Sequence, residues 1–186
     1  TKKHEFTLLM RGRLGYGNGY GQTDGNDNLF PFYENYYAGG FTTLRGFGSN
    51  SAGPKAVYNE GTGNNPNYKA TDDSVGGNAV ALASIELIVP TPFASDEVRN
   101  QIRTSVFFDM ASVWDTEFDY RKADANMPGD AYYYDYSDPT NYRSSYGAAL
   151  QWMSPMGPLV FSVAKPVESF EGDDEEFFTF TIGRTF

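Results

Sequence analysis

One short stretch of the sequence combines a single cation with residues that let a chain turn sharply. Thr43-Leu44-Arg45-Gly46-Phe47-Gly48 lies in a long connection, about residues 18–77, between two strand patterns. A connection of this length without a periodic pattern of its own is usually functional. Gly46 and Gly48 permit φ values that other residues resist, and Phe47 adds an apolar group beside the charge. Taken alone, without the strand patterns on either side, the stretch would rather indicate a disordered surface loop that carries one solvated arginine.

Two carboxylates are candidate partners for Arg45. Glu86 lies on the polar face of the second predicted strand, and Asp109 lies on the polar face of the third. Neighbouring strands can point both acids into one interior, where two carboxylates in a confined space favour a cation between them. An arginine suits this position because its planar guanidinium can donate to both acids. We therefore expect Arg45 to pair with Glu86 and Asp109; the alternative for Glu86 alone is a solvated carboxylate.

Six stretches of alternating apolar and polar side chains position these residues. They cover about residues 5–16, 78–89, 103–115, 143–153, 159–165 and 176–186, and each has the period of two that is typical of a strand. One face stays apolar in all six, whereas the opposite faces carry arginine, glutamate, aspartate and glutamine. Pro90-Thr91-Pro92 ends the second stretch because proline cannot continue a hydrogen-bonded ladder. The pattern predicts an all-β fold, an antiparallel meander of six strands.

The connections between these strands alternate in length. Long ones follow the first, third and fifth strands, at about residues 18–77, 117–141 and 166–175, and shorter ones follow the second and fourth. Long loops on one side and short turns on the other are typical of a transmembrane β-barrel. Trp152 near a strand end suits the aromatic girdle at a membrane interface. A soluble β-sandwich is the alternative, which the uniformly apolar faces disfavour.

The composition disfavours several classes of function. The 186 residues are enough for one domain, with a net charge of −10, no cysteine and a single histidine, His4. Generic nucleic-acid binding needs the opposite charge, and a chain without cysteine has no disulfide framework and no thiol metal site. One histidine also argues against a histidine-based metal centre or catalytic dyad. We expect no catalytic residue, no metal and no cofactor.

Several motifs along the chain are similar to those of a known protein family. Leu44-Arg45-Gly46-Phe47 is similar to the (V/I/L)-R-G-(F/Y) motif in an extracellular loop of the Omp85 superfamily of outer-membrane proteins. Further similar stretches are residues 31–40, 53–57, 75–79, 90–93, 108–110, 150–155 and 157–162, so the resemblance spans nearly the whole chain. It implies that the long connection folds into the barrel lumen, where Arg45 meets Glu86 and Asp109. It also implies that the chain is the C-terminal segment of a larger barrel whose family members carry periplasmic POTRA domains.

Within that family, the loop stretches resemble members that fold and insert other β-barrel proteins into the outer membrane of Gram-negative bacteria. The partners this implies are unfolded outer-membrane protein clients, outer-membrane lipid and other assembly-complex subunits, with no nucleic acid. An Omp85-type translocation pore for two-partner secretion or autotransporter assembly is one alternative. A passive porin is another, although nothing in a porin requires the arginine motif.

The last strand has a predicted role of its own. Its apolar side chains alternate at Phe178, Phe180, Ile182 and Phe186. Gly183 is small and faces inward, where a kink in the strand would cost little. We expect this strand to be a C-terminal folding signal and one wall of a weakly paired seam with the first barrel strand. Such a seam offers backbone donors and acceptors to an incoming strand.

Overall fold

The computed structural model is all-β and describes residues 6–23, 26–59, 62, 68–91, 101–118, 135–170 and 172–183. The described residues form one short 3₁₀-helix, Phe32–Glu34, and ten strands. The strands are β1 Thr7–Tyr16, β2 Gln22–Thr23, β3 Asn26–Asp27, β4 Lys55–Asn59, β5 Tyr68–Ser74, β6 Ala79–Val89, β7 Ile102–Trp114, β8 Arg143–Ser154, β9 Gly157–Glu168 and β10 Phe178–Ile182. Among these residues there is no helix with the length and apolarity to cross a membrane.

The main sheet has six strands in the order β1-β6-β7-β8-β9-β10, and every neighbouring pair is antiparallel. β1 and β6 are neighbours although the long connection separates them in sequence. The predicted fold class, an antiparallel meander of six strands, is confirmed. β1 and β10 lie at the two ends of this order, so each presents one edge of the sheet.

The fifth strand is longer than the sequence pattern predicts. β9 continues to Glu168, whereas the pattern ended it at residue 165 and began the next connection at Pro166. The reason is a register shift, since Ser145 pairs with Pro166 while Ser144 pairs with Glu168. A bulge of this kind accommodates a proline within a strand because the ladder is locally interrupted there. The connection before β10 is therefore shorter than predicted.

The two faces of the sheet differ in chemistry. On the outer face, apolar side chains are exposed in register across the strands: Leu8, Met10, Leu14, Ile85, Val106, Phe108, Met110, Tyr146, Leu150, Trp152, Val163, Phe178, Phe180 and Ile182. On the inner face, charged and polar side chains are buried, among them Glu86, Asp109 and Arg143. An apolar outer band with a polar interior is the arrangement of a transmembrane β-barrel wall.

The long connection has structure that the sequence pattern did not predict. Two small hairpins, β2–β3 and β4–β5, lie within it. A buried cluster then joins the connection to the inner faces of β6 and β7; its members are Ala38, Leu44, Phe47, Ala52, Val80, Ala111 and Val113. The middle of the connection therefore packs on the inner face of the sheet, with two large apolar side chains of its own, Leu44 and Phe47, as anchors.

Candidate functional site

The segment that carries Arg45 is a compact turn, which we call the loop tip (residues 40–48). Its ends are joined by a hydrogen bond from the Gly40 N–H to the Phe47 carbonyl at 2.8 Å, and the Leu44 N–H donates to the Gly40 carbonyl at 3.1 Å. Leu44 and Phe47 are fully buried. The backbone of the tip is thus fixed by its own hydrogen bonds and by two apolar anchors, so Arg45 projects from a defined position.

Arg45 is 2% exposed and contacts both of the acids that the sequence indicated. Nε donates to Asp109 Oδ2 at 2.7 Å and Nη2 to Asp109 Oδ1 at 2.9 Å, which is a two-pronged contact. Nη1 donates to Glu86 Oε2 at 3.2 Å. Arg11 on β1 adds a second cation, with Nη2 at 3.4 Å from the same Glu86 oxygen. These four side chains, the Arg45 cluster, carry two charges of each sign.

Serine hydroxyls complete the surroundings of the two carboxylates. Ser84 Oγ donates to Asp109 Oδ1 at 2.7 Å, and Ser105 Oγ donates to Glu86 Oε1 at 2.5 Å. All four carboxylate oxygens therefore accept at least one hydrogen bond. Buried ions are tolerated only when their remaining lone pairs are satisfied, because the low local dielectric makes an unpaired group costly. Both serines occupy inner-face positions of the strand pattern, but the sequence analysis gave them no role.

An aromatic ring lies beneath the guanidinium. Arg45 Cζ is 3.4 Å from the centroid of the Phe107 ring, which is a cation–π arrangement. Phe107 in turn covers Gly147 on β8, its register partner; a Cβ on Gly147 would lie 2.6 Å from Phe107 Cζ. Phe107 lies on the inner face opposite Glu86 in register, and the sequence analysis gave it no role. An aromatic among polar inner positions, two residues before Asp109, was the available signal.

The backbone of the loop tip also lies against the wall of the sheet. Gly46 has φ +90°, and a Cβ there would be 3.1 Å from the Ala164 Cβ and 3.2 Å from the Ser145 Cβ. Ser145 Oγ donates to the Arg45 carbonyl. Both the left-handed backbone and the close approach to β8 and β9 favour glycine at residue 46.

The loop tip pairs with the segment that leads into β10. Phe47 and Glu175 form an antiparallel bridge. The Gly48 N–H donates to the Asp174 carbonyl at 2.8 Å, and the Glu176 N–H donates to the Gly46 carbonyl at 3.0 Å. The residues that follow Arg45 are thus hydrogen-bonded to the approach to the last strand, a contact that no sequence pattern indicated.

Comparison with known proteins places this arrangement in a family. The whole chain, residues 1–186, matches the model of the Omp85 superfamily domain. The chain belongs to the Omp85 superfamily. The resemblance predicted from the loop and strand motifs is therefore confirmed.

This Omp85 chain is similar to several proteins named outer membrane protein assembly factor BamA. The protein from Neisseria meningitidis serogroup B is 37% identical over 97% of this chain and 22% of its own length. That from Nitratidesulfovibrio vulgaris is 26% identical over 84% of this chain and 16% of its own length. The crystal structure of BamA from Haemophilus ducreyi lacking POTRA domains 1–3 matches with 44% identity and a TM-score of 0.76, over 94% of this chain and 30% of that chain. The chain thus spans less than a third of each of these relatives.

The last strand of this Omp85 chain places its apolar side chains on the outer face. Phe178, Phe180 and Ile182 are exposed there, and the Phe180 ring lies 4.9 Å from that of Phe161 on β9. Gly183 follows with φ +78°, and its N–H donates to the Pro158 carbonyl at 2.9 Å. The backbone at Gly183 is therefore left-handed, a conformation that favours glycine. Phe186, also assigned to the signal strand, lies outside the described residues.

Proposed function

We propose that this segment serves the assembly of outer-membrane proteins: it belongs to a multi-pass barrel that folds and inserts β-barrel proteins into the outer membrane of a Gram-negative bacterium. The observation that carries the proposal is the similarity, over 97% of the chain, to a protein named outer membrane protein assembly factor. A relative so named points to a role without catalysis, and we assign no residue to a chemical step.

The edge of β10 is the proposed working surface. β10 pairs with β9 over five residues, Phe178 to Ile182, whereas β8 pairs with β9 from Ser144 to Ser154. A short strand at the end of a sheet separates easily from the strand on its other side, which at the seam is the first barrel strand. Its edge then offers backbone N–H and C=O groups to an incoming strand. An unfolded client would add its own strand there, and it would need no cofactor to do so.

The remaining partners follow from the two faces of the sheet. The apolar outer band contacts outer-membrane lipid, since exposed apolar area of this extent requires an apolar environment. Other assembly-complex subunits bind elsewhere on the full-length protein. The net charge of −10 gives no basis for nucleic-acid binding.

A crosslink across the seam tests the proposal. This segment has no cysteine, so one cysteine in β10 and one in the first barrel strand give a single defined disulfide in a full-length protein whose other cysteines, where present, are replaced by serine. We expect the oxidised protein to lose assembly of a reporter barrel and the reduced protein to regain it, with each single-cysteine variant as a control. Normal client assembly by the oxidised protein would contradict the proposal. Loss of secretion of a partner protein, with barrel assembly unchanged, would instead favour the translocation pore.

A further inference from the structure

A second buried ion cluster lies apart from Arg45. Asp173, in the connection between β9 and β10, has a fully buried side chain. Arg143, the first residue of β8, donates to it from Nε at 2.9 Å to Oδ2 and from Nη2 at 3.3 Å to Oδ1. The Phe170 N–H donates to Oδ2 at 2.9 Å, and the Phe170 ring lies 4.4 Å from Arg143 Cζ. Asp173 therefore fixes its own connection to the start of β8.

The third member of this cluster comes from the long connection. Lys55 Nζ, at the start of β4, lies 3.7 Å from Asp173 Oδ1. The same ammonium donates to the Ser51 carbonyl at 2.5 Å and the Asp72 carbonyl at 3.2 Å. Burial lowers the pKa of Lys55, an effect that the charge of Asp173 partly offsets. We call Lys55, Arg143 and Asp173 the Asp173 cluster.

The backbone around Asp173 is built for this contact. Gly172 has φ +85°, and a Cβ there would lie 3.3 Å from Asp72 Oδ1 and 3.4 Å from the Thr71 carbonyl. The connection before β10 therefore approaches the β4–β5 hairpin closely. Directly after Asp173, residues 174–176 form the hydrogen bonds to the loop tip already described, and β10 begins at Phe178.

We infer that Asp173 is a positioning residue that joins the long connection to the approach of the last strand, so that the start of β10 moves only together with the loop tip. The three side chains link β4, β8 and the connection before β10, and the backbone bonds of residues 174–176 extend this link to Arg45. The inference deepens the proposed function, and it rests on that function only in taking β10 as the working strand. When β10 rearranges to accept a client, either the ion pairs of the Asp173 cluster are lost or its residues move together with β10.

Hydrogen exchange in the full-length protein, held in detergent micelles or nanodiscs, tests this inference without a client. We compare Asp173→Asn with Asp174→Asn, which makes the same change of charge at the neighbouring, exposed residue. For Asp173→Asn we expect about tenfold faster exchange in peptides that contain Gly48 and Glu176, because local opening becomes easier. Asp174→Asn is expected to leave both peptides close to the wild type.

Two further variants keep the test decisive if Asp173→Asn does not fold, which gel mobility with and without heating would reveal. Lys55→Met keeps the apolar stem and removes the charge, and Arg143→Lys keeps the charge and removes the planar fork. Both are expected to accelerate exchange at Glu176, remote in sequence from either substitution. Acceleration confined to the β4–β5 hairpin or to β8, or equal exchange in the two aspartate variants, overturns the inference.

The inference and the proposed function fail in different ways. Suppose that Asp173→Asn accelerates exchange at both Gly48 and Glu176, but the seam-crosslinked protein still assembles clients normally. The positioning role of Asp173 would then stand, and β10 would not be the working strand. If exchange at these two residues is unchanged but crosslinking abolishes client assembly, β10 remains the working strand and the positioning role of Asp173 is wrong.

Discussion

Arg45 donates to both carboxylate oxygens of Asp109, from Nε at 2.7 Å and from Nη2 at 2.9 Å. This two-pronged contact uses one edge of the guanidinium and leaves Nη1 to reach Glu86 on the neighbouring strand. Only arginine can serve both acids in this way, since lysine is a single point charge on a flexible stem. The long connection is therefore held by a contact that depends on geometry as well as on charge.

We expect Arg45→Glu to lower the heat stability of the full-length barrel more than Arg45→Ala, and Arg45→Ala to lower it more than Arg45→Lys. Removing one partner of a buried ion pair costs about 3–5 kcal/mol, and less where water has access. Arg45→Glu adds a third negative charge, and Arg45→Lys keeps the charge without the fork. The midpoint of heat unfolding of the full-length barrel, read by gel mobility, measures this order. Arg13→Ala, at an exposed arginine, is the control; an equal loss there would show that any change of charge destabilises the barrel.

Asp109 and Glu86 are expected to contribute unequally to the stability of the barrel. Asp109 accepts two guanidinium hydrogen bonds from Arg45 and one from Ser84, whereas Glu86 accepts a single bond from Arg45 at 3.2 Å, one from Ser105 and a longer one from Arg11 at 3.4 Å. Charge-assisted two-pronged pairs are stronger than single contacts, so Asp109→Asn should lower the unfolding midpoint more than Glu86→Gln. The double variant should cost less than the sum of the two, because both single changes disturb the same arginine. An additive result would show that the acids act independently.

Gly147 is expected to tolerate no side chain. A Cβ there would meet the Val163 carbonyl and lie 2.6 Å from Phe107 Cζ, so Gly147→Ala must displace the ring beneath Arg45. Such overpacking typically costs about 1–3 kcal/mol. Gly12→Ala on β1 is the matched control, since the nearest atom to its Cβ would be the Leu82 carbonyl at 3.9 Å. Equal unfolding midpoints for the two alanine variants would contradict the stacked arrangement.

The lowered pKa of Lys55 predicts a pH dependence of stability. Between the folded pKa and the ordinary value of 10.5, the unfolded chain binds the Lys55 proton more tightly than the folded protein does. The contribution of Lys55 to the free energy of unfolding therefore rises with pH between these two pKa values. The charged groups that face Lys55 are Asp173, Arg143 and Asp72. We expect the stability difference between wild type and Lys55→Met to shift in favour of wild type as the pH approaches 10.5; a difference independent of pH would contradict this.

The main sheet and the partners of Arg45 were accessible from the sequence because both depend on a period of two. Alternation fixes which face a side chain occupies, so Glu86 and Asp109 fall on the same inner face of neighbouring strands. Phe107 was harder to assign because an aromatic at an inner position departs from the pattern that identifies the strand.

The structure inside the long connection was not accessible in the same way. β4–β5 carries no clean alternation, and its pairing is interrupted between Lys55 and Val57. Asp173 belongs to a run of four acids, Asp173-Asp174-Glu175-Glu176, in which nothing local marks the buried one. Its burial results from the left-handed backbone at Gly172 and from Arg143, which is distant in sequence. Contacts of this kind depend on the assembled tertiary structure.

The bridge between Phe47 and Glu175 has a consequence for the order of folding. Strands β6 to β9 all lie between these two residues in sequence. Closing so long a span costs chain entropy that two backbone hydrogen bonds do not offset, unless the intervening strands have already paired and shortened the gap. We therefore expect the loop tip to dock after strands β6 to β9 have paired, so that a docked tip indicates that these hairpins have formed in the correct register.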